Sequence, residues 1–475
     1  MNRKLFVLAL LGSVMLYASS AFASYIDQIT DQSAEWIGNP TRLASTDSVD
    51  CVTYNPAGTV KMADGLHVHF SSQSIDNNNT TEVTGAGYPS AMKYETHKPS
   101  KFVPSFYANY KNDNWSAYTG VHIIGGGGST FWENGTPNLN LAVQAVEQTD
   151  IDPVTAGVQL HPAPWSNSKF YFADDGSANA GISVDMLSMF PALTIGGAYK
   201  LNDMLTMSLG ARVIKATQTI KITASESGLG GSKDTLYDAE WNATGYMGII
   251  GLNIQPTSEL NIGITYESMS KMDWKVSVHD DLSYKSTAYN NEHVLSSASG
   301  YTDGRKFRFD IPARLMLGIE YVITPTLKAD LAGMIYMSNW GTYEKPTKST
   351  ATNPLAGTTY KQNVNSYDFD IAWEAGAGFS WEFLKNITWT GGVNYDCMNV
   401  KDQYLSELMN KIDLWNVGTG LKIRTEENLN LMVSYMHNFY ITRSNNSATD
   451  GTNYYKTEYS KTANVFAFSI EYKFL

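Results

Sequence analysis

The sequence predicts an all-β protein, a fourteen-stranded antiparallel transmembrane β-barrel with an N-terminal plug in its lumen. Three observations point there. Long stretches alternate apolar and polar residues with a period of two. Short turns alternate with long polar connections. The chain also opens on an export signal, after which no run approaches the ~20 apolar residues of a spanning helix.

The export signal comes first. Met1 to Lys4 carry two positive charges, "LFVLALLGSVMLYASS" is apolar, and Ala21-Phe22-Ala23 has the small-x-small form of a cleavage site. Residues 1–23 are expected to be removed, leaving Ser24 as the first residue. A retained anchor is the other reading. Without Arg3 and Lys4 there are 32 basic against 46 acidic residues, a net of −14. Such an acidic chain is a poor partner for nucleic acid.

The alternation is clearest in "FDIAWEAGAGFSWEF" and "RKFRFDIPARLMLGIEYV". The first places Phe369, Ile371, Trp373, Phe379, Trp381 and Phe383 on one face, with Asp370, Glu374, Ser380 and Glu382 opposite. The second places Phe307, Phe309, Ile311, Ala313, Leu315, Leu317, Ile319 and Tyr321 together, opposed by Arg308, Arg314 and Glu320. A soluble sandwich also alternates, but over strands of ~5–6 residues. Longer runs with small or charged residues on one face and aromatics on the other fit strands between lipid and a polar lumen.

Strands are expected near 66–75, 102–111, 115–124, 186–200, 204–221, 237–254, 260–270, 305–323, 327–338, 367–384, 387–397, 412–424, 429–441 and 463–474. The turns "LND", "QPTSE", "TPT", "KN" and "TEEN" fall at one end, and the longest connection is 129–184 at the other. An even strand number returns both ends to one side. The last strand, "NVFAFSIEYKFL", places Phe466, Phe468, Ile470, Tyr472 and Phe474 on one face. It looks like an outer-membrane C-terminal signal read by the barrel assembly machinery, although Leu475 follows the terminal aromatic.

About forty residues precede the first strand and lack alternation. Trp36, Ile37, Leu43, Val52, Tyr54 and Val60 make them more apolar than a solvated tail, so they read as a plug in a bore that would otherwise hold water. A disordered leader is the alternative. Within this segment "RLASTDSVDCVTYNPAGTVKM", with Asn55-Pro56-Ala57-Gly58, resembles the N-terminal hatch of the long-chain fatty acid transporter family, FadL and its TodX-type hydrocarbon-uptake relatives. The long loop after strand three, "IPARLMLGIEYVITPTLKADL" and the aromatic last strand extend the resemblance along the chain.

The resemblance implies a signal peptide at 1–23, a hatch at 24–64 and a barrel over 65–475. It implies a monomer in the bacterial outer membrane, in contact with its lipid and lipopolysaccharide. A hydrophobic molecule would bind between external loops and pass to a lumenal pocket. It would leave sideways through an inward kink in the third strand. Gly125, Gly126, Gly127 and Gly128 sit there. Glycine permits the backbone angles of a kink and lets a ligand approach the chain. The other reading of these glycines is a flexible junction leading into loop 129–184. A side exit spares the cargo from water: at about 0.8 kcal/mol per CH₂, a sixteen-carbon chain resists hydration by about 10 kcal/mol or more.

Other candidates are more open. Phe131, Trp132, Leu139, Leu141, Trp165 and Phe170 could form an outer greasy groove or pack a loop helix on the rim. Arg212 and Arg314 could hold a ligand carboxylate or pair with lumenal acids such as Glu267. His67 and His69 share one face, but two His make a weak metal site. Cys51 and Cys397 could pair. "GGGGST" lacks the Lys and spacing of a phosphate loop, so no cofactor is implied. An enzyme would need a triad for which no motif speaks. The main alternative function is a general diffusion porin for small polar solutes.

Overall fold

A computed structural model describes residues 33–85, 91–126, 128–136, 182–225, 233–281, 283–286, 291–294, 301–344, 367–407, 409–426, 428–448 and 454–474. Fourteen strands form one closed antiparallel barrel. In chain order they begin with β1 (Gly65–Gly85), β2 (Ser100–Asn112), β3 (Trp115–Ile123 and Gly128–Trp132), β4 (Ile182–Met189 and Pro191–Lys200) and β5 (Leu205–Ser225). Then come β6 (Lys233–Ile254), β7 (Leu260–Glu267 and Asp273–Asp281), β8 (Lys306–Arg308 and Ala313–Thr324), β9 (Leu327–Met337) and β10 (Ala372–Leu384). The last four are β11 (Ile387–Cys397), β12 (Leu414–Glu426), β13 (Leu429–Tyr440 and Arg443–Ala448) and β14 (Tyr454–Phe474). Neighbours in sequence are neighbours in the sheet, and β1 meets β14 from Leu66↔Phe474 to Gly85↔Tyr455, so the ring closes.

Alternation decides which way each side chain points. On β5, Leu209 and Val213 are exposed to the outside while Ser208, Arg212 and Ile214 are buried inside. On β14, Phe466, Phe468, Ile470, Tyr472 and Phe474 face out as the sequence predicts. The lipid-facing wall is thus apolar over the height that must cross the membrane.

Two expectations need correction. The strands run higher than the apolar pattern suggests: β1 continues to Gly85, β6 starts at Lys233 and β14 starts at Tyr454. These upper parts are Thr-, Asn- and Lys-rich, so the ladder persists where no apolar face announces it. The second correction concerns faces. Phe307, Phe309, Ile311, Ala313 and Phe369 are buried inside, not on the outer face with Leu317, Tyr321 and Trp373. β8 is interrupted at Asp310-Ile311-Pro312, and the interruption reverses the side on which odd-numbered residues fall. Asp310 holds the break by accepting from the Met272 N–H at 3.1 Å and the Thr342 N–H at 2.8 Å.

Residues 33–62 pack against the inward faces of strands all round the ring. They contain helix α1 (Ala34–Gly38) and two 3₁₀ turns, Val49–Thr53 and Pro56–Lys61. Ser33 caps α1 by accepting from the Trp36 N–H at 2.9 Å.

Candidate functional site

β3 begins as an ordinary wall strand, with Trp115 and Val121 exposed and Tyr118 and His122 buried. Its ladder with β2 stops at Phe106↔Val121. The strand then turns inward, and Ile124 is 3% exposed. It stays attached to β4: the Ile124 N–H donates to the Phe190 carbonyl, and the Phe190 N–H donates to the Gly125 carbonyl, both at 3.0 Å.

Gly126 is at φ +106, and a Cβ there would lie 2.6 Å from the Met189 nitrogen. Both angle and space demand glycine. Gly128, at φ +75, starts the upper piece of β3, which pairs with β4. Contact with the β2 side resumes where the Ser129 N–H donates to Ser100 Oγ at 3.3 Å and at the Thr96↔Trp132 bridge. From Phe106 to Ser100 the wall ladder is therefore interrupted over about 20 Å of strand. Pro104 lies in this stretch, where a strand can spare an N–H. Gly127 lies outside the described residues.

Behind the break an apolar track leads into the lumen. Phe190 is fully buried, and its ring centroid lies 5.7 Å from that of Trp274. Trp274 stacks on Phe307 at 6.4 Å, Phe307 meets Tyr301 at 5.6 Å, and Tyr301 meets Trp241 edge-on at 5.3 Å. A second knot of rings, Phe309, Tyr343, Tyr367, Phe369 and Tyr404, fills the lumen beside β8 to β11. Sequence reasoning missed this lining. The signals were Phe190-Pro191 and Ile311-Pro312, prolines inside alternating runs that mark a change of face.

Next to the track runs a polar belt. Arg212 donates through Nε to Thr194 Oγ1 and through Nη1 to Glu267 Oε2, each at 2.8 Å. Arg314 Nε donates to the same Glu267 oxygen at 2.8 Å. All three side chains are buried.

The N-terminal residues make a polar web with the wall. Glu35 faces His69 at 2.8 Å and accepts from Ser469 at 2.6 Å. Burial would raise the Glu35 pKa, but the adjoining His69 ring outweighs it and holds the group at about 2. Arg42 is held above its ordinary range: burial opposes its charge, but Asp50, Tyr54 and Asp47 favour it. Asn39 donates to Asp330 at 2.7 Å.

The predicted motif is buried throughout. Asn55 donates to Asn253 at 2.8 Å and to the Ala44 carbonyl at 3.0 Å, and the Ala57 carbonyl accepts from Thr206 at 2.9 Å. Pro56 begins the second 3₁₀ turn, and a Cβ on Gly58 would lie 2.7 Å from Asn55 Nδ2.

Of the remaining predicted residues, Trp132 points inward and is buried, whereas Phe131 is half-buried on the opposite face. Phe131 borders a cavity of about 230 Å³ with Asp185 and Lys221, so its surroundings are polar. Leu139, Leu141, Trp165 and Phe170 lie outside the described residues. His67 is 2.8 Å from the Ala63 carbonyl. Cys51 and Cys397 are both free thiols.

Comparison with known proteins places these features in a family. Residues 168–474 match the family described as outer membrane protein transport protein (OMPP1/FadL/TodX). Among curated proteins no relative matches. A Pseudomonas aeruginosa FadL homologue superposes with a TM-score of 0.61 at 14% identity, over 95% of this chain and 100% of that one. The Ralstonia pickettii toluene transporter TbuX gives 0.53 at 13%, over 92% and 99%. The P. putida toluene transporter TodX gives 0.52 at 10%, over 90% and 94%.

Proposed function

The chain belongs to the OMPP1/FadL/TodX family of outer-membrane transport proteins, and on that premise we propose that it takes up hydrophobic molecules passively, long-chain fatty acids or hydrocarbons. Cargo enters from the external loops, moves along the aromatic track and leaves sideways at the break in β3. Residues 24–64 act as a hatch that closes the bore toward the periplasm.

The observation that carries this reading is the β2–β3 ladder ending at Phe106↔Val121 while Ile124 and Gly125 remain bonded to Phe190. Unpaired backbone cannot face hydrocarbon, so the strand bends inward at the break. Phe190 then offers an apolar surface directly behind it. Cargo on this path exchanges one apolar environment for another, and no energy source is needed.

Uptake of radiolabelled oleate and toluene by cells tests the path. Gly126→Val places a side chain against the β4 backbone, and uptake should fall to the level of cells lacking the protein. Phe190→Gln, which leaves the glycines alone, should lower it several-fold. Heat-modifiable gel mobility reports whether each barrel has folded. Full uptake of both cargoes by folded Gly126→Val protein would refute the side exit.

A further inference from the structure

The outer surface of β5 to β8 carries a frustrated patch of positive charge. Lys275 on β7 stands directly opposite Lys306 on β8, and both are exposed on the outer face, since Trp274 and Phe307 beside them are buried inside. Like charges directly opposite destabilise a sheet. Lys271, also exposed, lies four residues before Lys275, and exposed Lys215 lies on β5. None of the four has an ion-pair partner among the described residues.

Several other lysines near the rim are paired, although exposed Lys101 on β2 makes no ion pair among the described residues. Lys98 meets Asp185 at 2.6 Å, Lys221 meets Asp238 at 2.9 Å and Lys401 meets Asp368 at 2.8 Å. The acidic neighbours within the patch are fewer than its cations. They are Asp273, opposite Arg308, whose guanidinium pairs with Asp310, then Glu240, which accepts from Asn242, and Glu344, which accepts from the Arg308 N–H.

Height fixes the occupant. Val213 and Tyr246 are paired across β5 and β6 and are exposed to lipid. Lys215 is the next outward residue after Val213. Lys275 aligns with Asn242 and hence with Thr217, four residues above Val213. Lys215 and Lys275 thus stand about 7–13 Å along the strand beyond Val213, Lys306 is level with Lys275, and Lys271 lies lower, beside the top of the apolar band. The upper three are at the level of headgroups in the outer leaflet.

We propose that this face binds lipopolysaccharide, with its acyl chains along Val213, Tyr246 and Ile250 and its lipid A phosphates among Lys215, Lys271, Lys275 and Lys306. The phosphate removes the Lys275–Lys306 repulsion. A phosphate between two ammonium groups gains charge-assisted hydrogen bonds from both.

The full-length protein purified from outer membranes provides the test, with bis-phosphorylated lipid A quantified by mass spectrometry. The fourfold K215Q/K271Q/K275Q/K306Q variant should retain at least about tenfold less lipid A than the unaltered protein. A control in paired lysines, K98Q/K221Q/K401Q, should retain the normal amount. Lys275→Glu should show opposite signs, with a higher melting temperature in lipid-free detergent and weaker lipid A retention. Equal retention by the fourfold variant would overturn the proposal. So would equal retention of phosphatidylglycerol in nanodiscs, which would mark a generic anion surface, or a dimer whose formation needs these lysines.

Discussion

The two ends of the lumen are filled by different chemistry. Toward the periplasmic turns, residues 33–62 meet the wall through directional polar contacts: Glu35 with His69, Asn39 with Asp330, Asn55 with Asn253. Toward the outside the filling is aromatic, from Phe190 and Trp274 to Phe309 and Tyr404. A polar web fixes one arrangement, because each lost bond leaves a buried group unsatisfied. An aromatic filling is less particular. Another apolar body can replace a ring contact at little cost. On the proposed function, closure would fall to the first region and accommodation of cargo to the second.

The most drastic way to break the contrast is to remove one side. Deleting residues 24–60 should leave a folded barrel that conducts ions in planar bilayers, where the full chain should stay closed. A general porin would show the same single-channel conductance before and after. Trp274→Ala acts on the other region. It should cost about 3 kcal/mol of stability and lower uptake of hydrophobic cargo without opening an ion path, as flux and conductance assays would show.

Gly318→Val is a smaller change on the polar side. A Cβ at Gly318 would press on the backbone of Leu43 and Ala44. A cost of about 2 kcal/mol is expected, with partial conductance and an unchanged barrel circular-dichroism signature.

Acidification gives a graded effect. The Glu35 pKa is lowered in the folded protein, so its stabilisation is complete above the ordinary 4.5 and fades as pH falls toward about 2. Bilayer conductance should rise across that window, and Glu35→Gln should flatten the rise attributable to this group. The smallest effect should come from Ser434→Ala. It removes one 2.7 Å hydrogen bond to the Ala34 carbonyl and should shift stability by about 1 kcal/mol in thermal melts.

Much of this was legible in the sequence because lipid enforces a strict period of two on the wall. β9, β11 and β12 follow it, and their predicted spans fall close to the observed strands. The motif Asn55-Pro56-Ala57-Gly58 was visible as a pattern. Its partner Asn253, however, is distant in sequence, and nothing local pairs the two. The aromatic track was hidden for a different reason. Phe307 and Phe309 obey the same alternation as Leu315 and Leu317, and only the interruption at Pro312 turns them inward. Alternation gives relative faces within a strand; it cannot carry that relation across a break. The upper parts of β1, β6 and β14 were missed because polar strands above the membrane lack an apolar face to signal them.

The seam between β1 and β14 is also gripped from inside the lumen. Ser48 and the Val49 N–H both bond to Glu471 on β14, at 2.5 and 2.9 Å, while the same segment runs directly into β1. The join between first and last strands is therefore fastened twice, by its ladder and by a lumenal clasp at residues 48 and 49.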